Sequence, residues 1–267
     1  MKRGNFSVYH IARQQEITPR YVRILYKKYK DVPLYKIMVG VSGRPQTPID
    51  ENDKKTVLEA YNRMPMGAVK LEKYHELIGI PRIPHNRIQR ILTEGGLAKP
   101  LNKKVKRKKG VRYERRHSNS LWHTDFSEVD REWILAYIDD ASRKIVGKGK
   151  FRNATTDNAL SVFDTAGKKY GFPKQVMSDH GAQFCTDVEK DYRFREELKK
   201  RGVKHIMAAV KRPQSNGKIE RWFGTIDKIY RHFEGDLDKA VDCYNNMPHL
   251  SLDTTPNIAF TEKMRKN

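Results

Sequence analysis

The chain has 267 residues, of which 37% are apolar, and a net charge of +22; that length suits one large domain or two to three smaller ones. No apolar run approaches a membrane span, no cleavable signal follows Lys2 and Arg3, and Cys185 and Cys243 are too isolated for a zinc finger or a disulfide framework. The expected location is therefore cytoplasmic, with no membrane partner. The charge is uneven: residues 1–117 hold 28 Lys and Arg against 10 Asp and Glu (+18), and residues 118–267 hold 26 against 22 (+4). A basic front half on a nearly balanced back half is the footprint of a nucleic-acid-binding module joined to something else, not of a uniformly basic ribosomal-type protein.

Residues 7–29 read as two short helices around a tight turn. Val8, Ile11 and Ala12 mark the first apolar face, Thr18 is the expected N-cap of the second helix, and Pro19 is its first residue. Val22, Leu25, Tyr26 and Tyr29 form the expected inner side of that helix, and Arg20, Arg23 and Lys27 decorate its outer side. This is a helix-turn-helix pattern with a basic second helix, although a helical hairpin with a solvated basic face carries the same signature. Arg44, in a Gly-Arg-Pro break, is a candidate minor-groove contact. Helices are then predicted over 50–64, 68–78 and 84–93, the last closed by Gly95-Gly96 and carrying Arg87, Gln89 and Arg90 near its start. The reading is a helix-turn-helix unit at 1–45, a second such unit at 46–99 and a basic linker at 100–117. Six basic residues in seven over 103–109 would track phosphates along that linker.

From residue 118 the pattern changes. Strands are predicted over 121–127, 133–138 and 144–151, with Asp139 and Asp140 read as turn residues between the last two. A helix over 156–170, a strand over 174–178, a charged helix over 189–201, a strand over 203–207 and helices over 216–233 and 237–246 follow. A meander of strands followed by strand–helix alternation predicts an α/β domain with a mixed sheet. Asp125 interrupts a strand, Asp179 ends one just before Gly181, which is expected to allow a sharp turn, and Glu220 opens a helix. Three carboxylates brought together repel one another, and the usual reason to tolerate this is a hard divalent cation, Mg²⁺ or Mn²⁺ rather than zinc. Lys211, Asn216, Lys218 and Arg221 flank the third acid and are candidates for DNA phosphates. His123, His180 and Cys185 are read as structural, and Trp122 and Trp222 as core.

Five blocks occur in order over roughly half of the chain. They are Trp122-His123-Thr124-Asp125, Ile138-Asp139-Asp140-Ala141-Ser142-Arg143, Ser178-Asp179-His180-Gly181-Ala182-Gln183-Phe184, Pro213-Gln214-Ser215-Asn216-Gly217-Lys218-Ile219-Glu220-Arg221, and Tyr244-Asn245-Asn246-Met247-Pro248-His249 with Thr255-Pro256. With these blocks, residues 118–267 resemble the catalytic core of the DDE transposases and retroviral-type integrases, most closely the insertion-sequence members. The resemblance implies a ribonuclease-H-like core with a five-stranded mixed sheet, preceded by tandem helix-turn-helix units. It also implies Asp125, Asp179 and Glu220 as catalytic ligands of two Mg²⁺ or Mn²⁺ ions. The expected activity is cleavage at element ends and strand transfer into target DNA, carried out by a homo-oligomer on double-stranded DNA; the alternative is a catalytically silent DNA-binding regulator of the same descent. Two features depart from the family. The 40 residues between Asp179 and Glu220 exceed the retroviral spacing, and His180 stands where the family often has Asn.

Overall fold

The computed structural model describes residues 7–33, 47–99, 114–184, 193–208 and 217–265. Two helices make a unit of their own within residues 1–48. The first, α1 (Val8–Gln14), starts at Ser7, whose hydroxyl oxygen accepts the His10 amide; the second, α2 (Pro19–Tyr29), starts at Thr18, which accepts the Tyr21 amide. Ala12 and Val22 are their buried residues. The inner side of α2 is narrower than its sequence suggests: Leu25 and Tyr29 are half-buried, whereas Tyr26 is 70% exposed. A single partner helix covers one seam, at i, i+3 and i+7 from Val22, and Tyr26 falls beside it.

Residues 49–267 cluster as the second unit. Its helices α3 (Glu51–Arg63), α4 (Ala68–Leu77) and α5 (His85–Glu94) follow the expected segments to within one or two residues. Val57, Leu71, Ile88 and Leu92 close their interior. That interior continues into the face of two later helices, α8 (Gly217–His232) and α9 (Leu237–Asn246), through Ile219, Trp222, Ile226 and Val241. The His232 ring N–H donates to the Asn62 carbonyl (2.9 Å), and the same ring meets Tyr61 edge-on. The chain thus divides at 48/49, not at 45/46 and 99/100 as expected, and the segment 49–99 shares a hydrophobic core with the sheet domain; sequence composition shows a basic front half but not this buried face.

The sheet has the order β3-β2-β1-β4-β5. Its antiparallel meander is β1 (Trp122–Val129), β2 (Glu132–Asp139) and β3 (Ile145–Phe151); β4 (Gln175–Ser178) and β5 (Lys204–Met207) run parallel to β1. Asp130 and Arg131, both at positive φ, form the two-residue turn between β1 and β2. One face carries Trp122, Phe126, Leu135 and Tyr137 against α6 (Thr156–Tyr170) and α7 (Arg193–Lys200). The other face carries Ile134, Ala136 and Ile138 against α8 and α9. Side chains alternate across a strand, so Asp125, paired with Ala136, projects on the α8 side. This is the mixed five-stranded sheet expected from the sequence. The helix expected over 189–201 is described from Arg193 onward; residues 185–192, with Cys185, lie outside the described residues. A tenth helix, α10 (Pro256–Glu262), was not expected; it is capped by Thr255 and buries Ala259 and Phe260. Among the described residues no helix is long and apolar enough to cross a membrane.

The shared core has a measurable consequence. Leu71→Ala, at a fully buried site on α4, is expected to lower stability by about 2–5 kcal/mol. The loss should appear in the same denaturant transition when followed by tryptophan fluorescence, since all three tryptophans lie in the sheet domain. An unchanged fluorescence transition would mean that α3–α5 unfold on their own.

Candidate active site

Asp125 lies within electrostatic reach of two further carboxylates, Asp179 and Glu220. Asp125 is half-buried on the central strand, Asp179 follows the C-terminal end of the neighbouring parallel strand, and Glu220 lies exposed in the first turn of α8. The Phe126 amide donates to Asp125 Oδ1 (2.8 Å) and the Gly181 amide to Asp179 Oδ1 (2.9 Å). The chain turns at Gly181 as expected, the Phe184 amide donating to the Gly181 carbonyl (2.9 Å), at a φ that is not positive. Burial, then the charge of Asp179 and finally that of Glu220, raise the Asp125 carboxyl to about 7, with the Phe126 amide opposing. An all-oxygen set under mutual repulsion fits a hard divalent cation, whose charge would relieve that repulsion. Among the described residues no group of three or more His, Cys, Asp or Glu side chains is already drawn together to hold a metal ion. Asp125 is within electrostatic reach of the other two acids, and the three are not a closed cage.

Behind them sits a buried ionic network that sequence reading passed over. Asp139 and Asp140 are adjacent and both fully buried, yet they do different work. Asp139 is the turn residue it was expected to be: it accepts the Asn119 amide (2.8 Å) and the Ser142 amide and hydroxyl (2.8 and 2.7 Å). Asp140 points inward and accepts from His123 Nε2 (2.6 Å), from the Arg115 amide (2.6 Å) and from the Lys218 ammonium. Burial pushes the Asp140 carboxyl upward, but His123 and Lys218 outweigh it and hold the group well below the usual carboxylate range. His123 lies two residues before Asp125, and Lys218 two residues before Glu220. One buried anion therefore fixes the strand and the helix turn that present two of the three acids. The repeated two-residue offset is the signal that could have revealed it.

The other expected contact residues are placed as follows. Arg20 and Lys27 are exposed on α2, and Arg23 lies over the Tyr9 ring at 5.8 Å. On α5, Arg87 pairs with Asp53 (2.5 Å), Gln89 donates to the Lys99 carbonyl (3.1 Å) and Arg90 pairs with Glu94 (3.4 Å). Lys218, expected on phosphates, is directed to Asp140 instead, and Arg221 is exposed. Arg44, Lys211, Asn216 and the run 103–109 lie outside the described residues. His180 donates to the Ala208 carbonyl (2.7 Å), tying the loop after β4 to the end of β5. Trp122 and Trp222 are core residues.

Residues 115–213 match the integrase core domain family, a span that contains Asp125 and Asp179 and stops short of Glu220. The chain is 25% identical over 134 residues to a putative integrase of Spiroplasma virus SpV1-C74, covering 46% of this chain and 36% of that protein. It is 24% identical over 183 residues to the transposase for transposon Tn552 of Staphylococcus aureus, covering 52% of this chain and 36% of that one. Across these and a further curated relative, the chain spans 12–36% of the relatives' own length. A crystal structure of the catalytic core domain of BIV integrase aligns with a TM-score of 0.46 at 18% identity, over 54% of this chain and 95% of that one. Residues 115–213, which hold all five strands of the sheet, are thus similar to the integrase core domain.

The raised carboxyl predicts a pH dependence. Folded Asp125 keeps its proton up to about 7, whereas the ordinary value is 3.8. Ionising it therefore costs stability, increasingly as pH rises between those two values and fully above them. In cation-free protein, Asp125→Asn should raise the melting temperature by about 2–4 °C for each kcal/mol relieved, more near pH 8 than near pH 5. Calorimetry that finds the same shift at both pH values would contradict the perturbed carboxyl.

Proposed function

We propose that the chain is a DNA transposase or integrase that cleaves strands at element ends and joins them to target DNA. The observation that supports this best is that Asp125, on the central strand, lies within electrostatic reach of both Asp179 and Glu220, its carboxyl raised by burial and then by those two charges. In this reading the three carboxylates are the metal ligands. When bound, Mg²⁺ or Mn²⁺, two ions per site, supplies the Lewis acidity that activates the attacking oxygen and stabilises the leaving 3′-oxygen. Asp125 gives up its raised proton as the site loads, Asp179 stays oriented by the Gly181 amide, and Glu220 closes the set from α8. Asp140 keeps β1 and α8 in register while this happens.

DNA recognition is assigned to residues 1–99. The exposed Arg20 and Lys27, with Arg23 and Arg44, suit phosphate or groove contacts from the first unit. Arg87, Gln89 and Arg90 would exchange their present intramolecular partners for DNA, and Arg221, Lys211 and Asn216 would hold the strand beside the acids. The linker run 103–109 adds sequence-independent phosphate contacts. Each chain carries one acid set, whereas an element has two ends. The active species is accordingly proposed as a homo-oligomer that pairs both ends before cutting.

The test is incubation with the DNA that flanks the chain's own gene, with and without Mg²⁺, scoring cleavage and joining. Asp125→Asn, Asp179→Asn and Glu220→Gln should each reduce both to background while end binding persists. A variant that still joins at near-wild-type rate removes its residue from the site. Specific binding with no divalent-dependent chemistry in the unmodified protein would instead identify a silent regulator.

A further inference from the structure

A second concavity lies at the other end of the central strands. A cavity of about 280 Å³ is walled by Arg115, Arg116, Lys174 and Arg265, with Ser120 beside them and no Asp or Glu in its lining. Three separate stretches bring these cations together: the lead into β1, the lead into β4 and the segment after α10. The stretches are fastened to one another by hydrogen bonds. The Lys174 amide donates to the Asn119 carbonyl (2.9 Å), the Ser118 amide to the Lys263 carbonyl (2.9 Å) and the Ser118 hydroxyl to the Phe260 carbonyl (2.9 Å). Arg115 is oriented twice, its amide on Asp140 (2.6 Å) and its guanidinium on Gln175 Oε1 (2.8 Å). The neighbouring acid, Glu114, is engaged by Arg143 and Lys263, each at 2.9 Å. Among the described residues Arg116, Lys174 and Arg265 make no ion pair.

Arg116, Lys174 and Arg265, gathered in a lining that holds no Asp or Glu, repel one another. Guanidinium forks around a small polar hollow match the oxygens of a phosphate. We infer that this cavity is a phosphate-binding site and that it holds one backbone phosphate of bound DNA. Lys174 and Gln175 precede Asp179 by four to five residues of extended chain, so the cavity lies roughly 13–17 Å from the carboxylates. At about 3.4 Å of helix axis per phosphate of one strand, that separation matches some four to five base pairs along a duplex. The site therefore grips DNA away from the chemistry and fixes the angle at which the duplex leaves it. Assigning the phosphate to DNA rests on the function proposed above; the phosphate chemistry itself does not.

The experiment uses the full chain with Arg116→Gln, Lys174→Gln and Arg265→Gln combined, beside a control carrying Lys168→Gln, Lys199→Gln and Lys228→Gln at exposed positions elsewhere. One arm measures affinity for a random-sequence duplex across salt concentrations. Losing one shared phosphate should reduce the slope of log affinity against log salt by about 0.9 in the cavity variant, with a smaller change in the control. The other arm measures melting temperature with inorganic phosphate at constant ionic strength; phosphate should stabilise the unmodified protein and the control but not the cavity variant. Loss of phosphate stabilisation with an unchanged duplex slope overturns the DNA assignment in favour of a free phosphate. Equal behaviour of the two variants in both arms overturns the site altogether. Neither arm measures cleavage, so the outcome is independent of whether the three carboxylates are catalytic.

Discussion

One buried anion holds this molecule's functional end together. Asp140 has no access to solvent, and an isolated carboxylate in that position would be costly. It is stable because three donors from three parts of the chain converge on it: a strand residue, a helix-start residue and a backbone amide from the segment that leads into the sheet. Breaking such a pair leaves an uncompensated charge, which typically costs about 3–5 kcal/mol. The network is therefore cooperative, and it leaves β1, the start of α8 and the 114–120 segment little freedom to drift apart. The acids, on one side, and the basic cavity, on the other, both hang from this point.

The electrostatics of the two sides are opposite in sign but alike in logic. Burial and the charges of Asp179 and Glu220 raise the Asp125 carboxyl to about 7, a strain that a cation would relieve. The cations of the cavity repel one another and would be relieved by a phosphate. Both sites sacrifice stability of the free protein for affinity toward a charged partner, the usual trade at functional positions. The net charge of +22 places both in a field that draws in polyanions.

Much of this fold was legible in the chain. Alternating apolar residues marked β1 through β3, and the cap and periodicity signals gave α6 and α9 with the boundaries observed. Asp125, Asp179 and Glu220 stand out in the chain because one interrupts a strand, one follows a strand and one opens a helix. What was not legible depended on distance. The shared core of α4 and α8 joins residues some 150 positions apart, such as Leu71 and Trp222, and no local pattern announces it. Helix α10, with Ile258, Ala259 and Phe260 its only apolar residues after the opening proline, is too short for periodicity to show. Asp139 and Asp140 look interchangeable in a turn; only the fold separates the one that caps it from the one that reaches His123 and Lys218, 17 and 78 residues away. Lys218 was misplaced for the same reason.

If Asp140 positions the carboxylates to take a divalent cation, affinity for that cation depends on Asp140. Calorimetric titration of Mn²⁺ into the unmodified protein and into Asp140→Asn tests it most directly, at a temperature where circular dichroism shows both folded. The account predicts binding in the unmodified protein and an affinity about 10–100-fold weaker in the variant, as for residues that orient metal ligands. Equal affinity in the two proteins would contradict it.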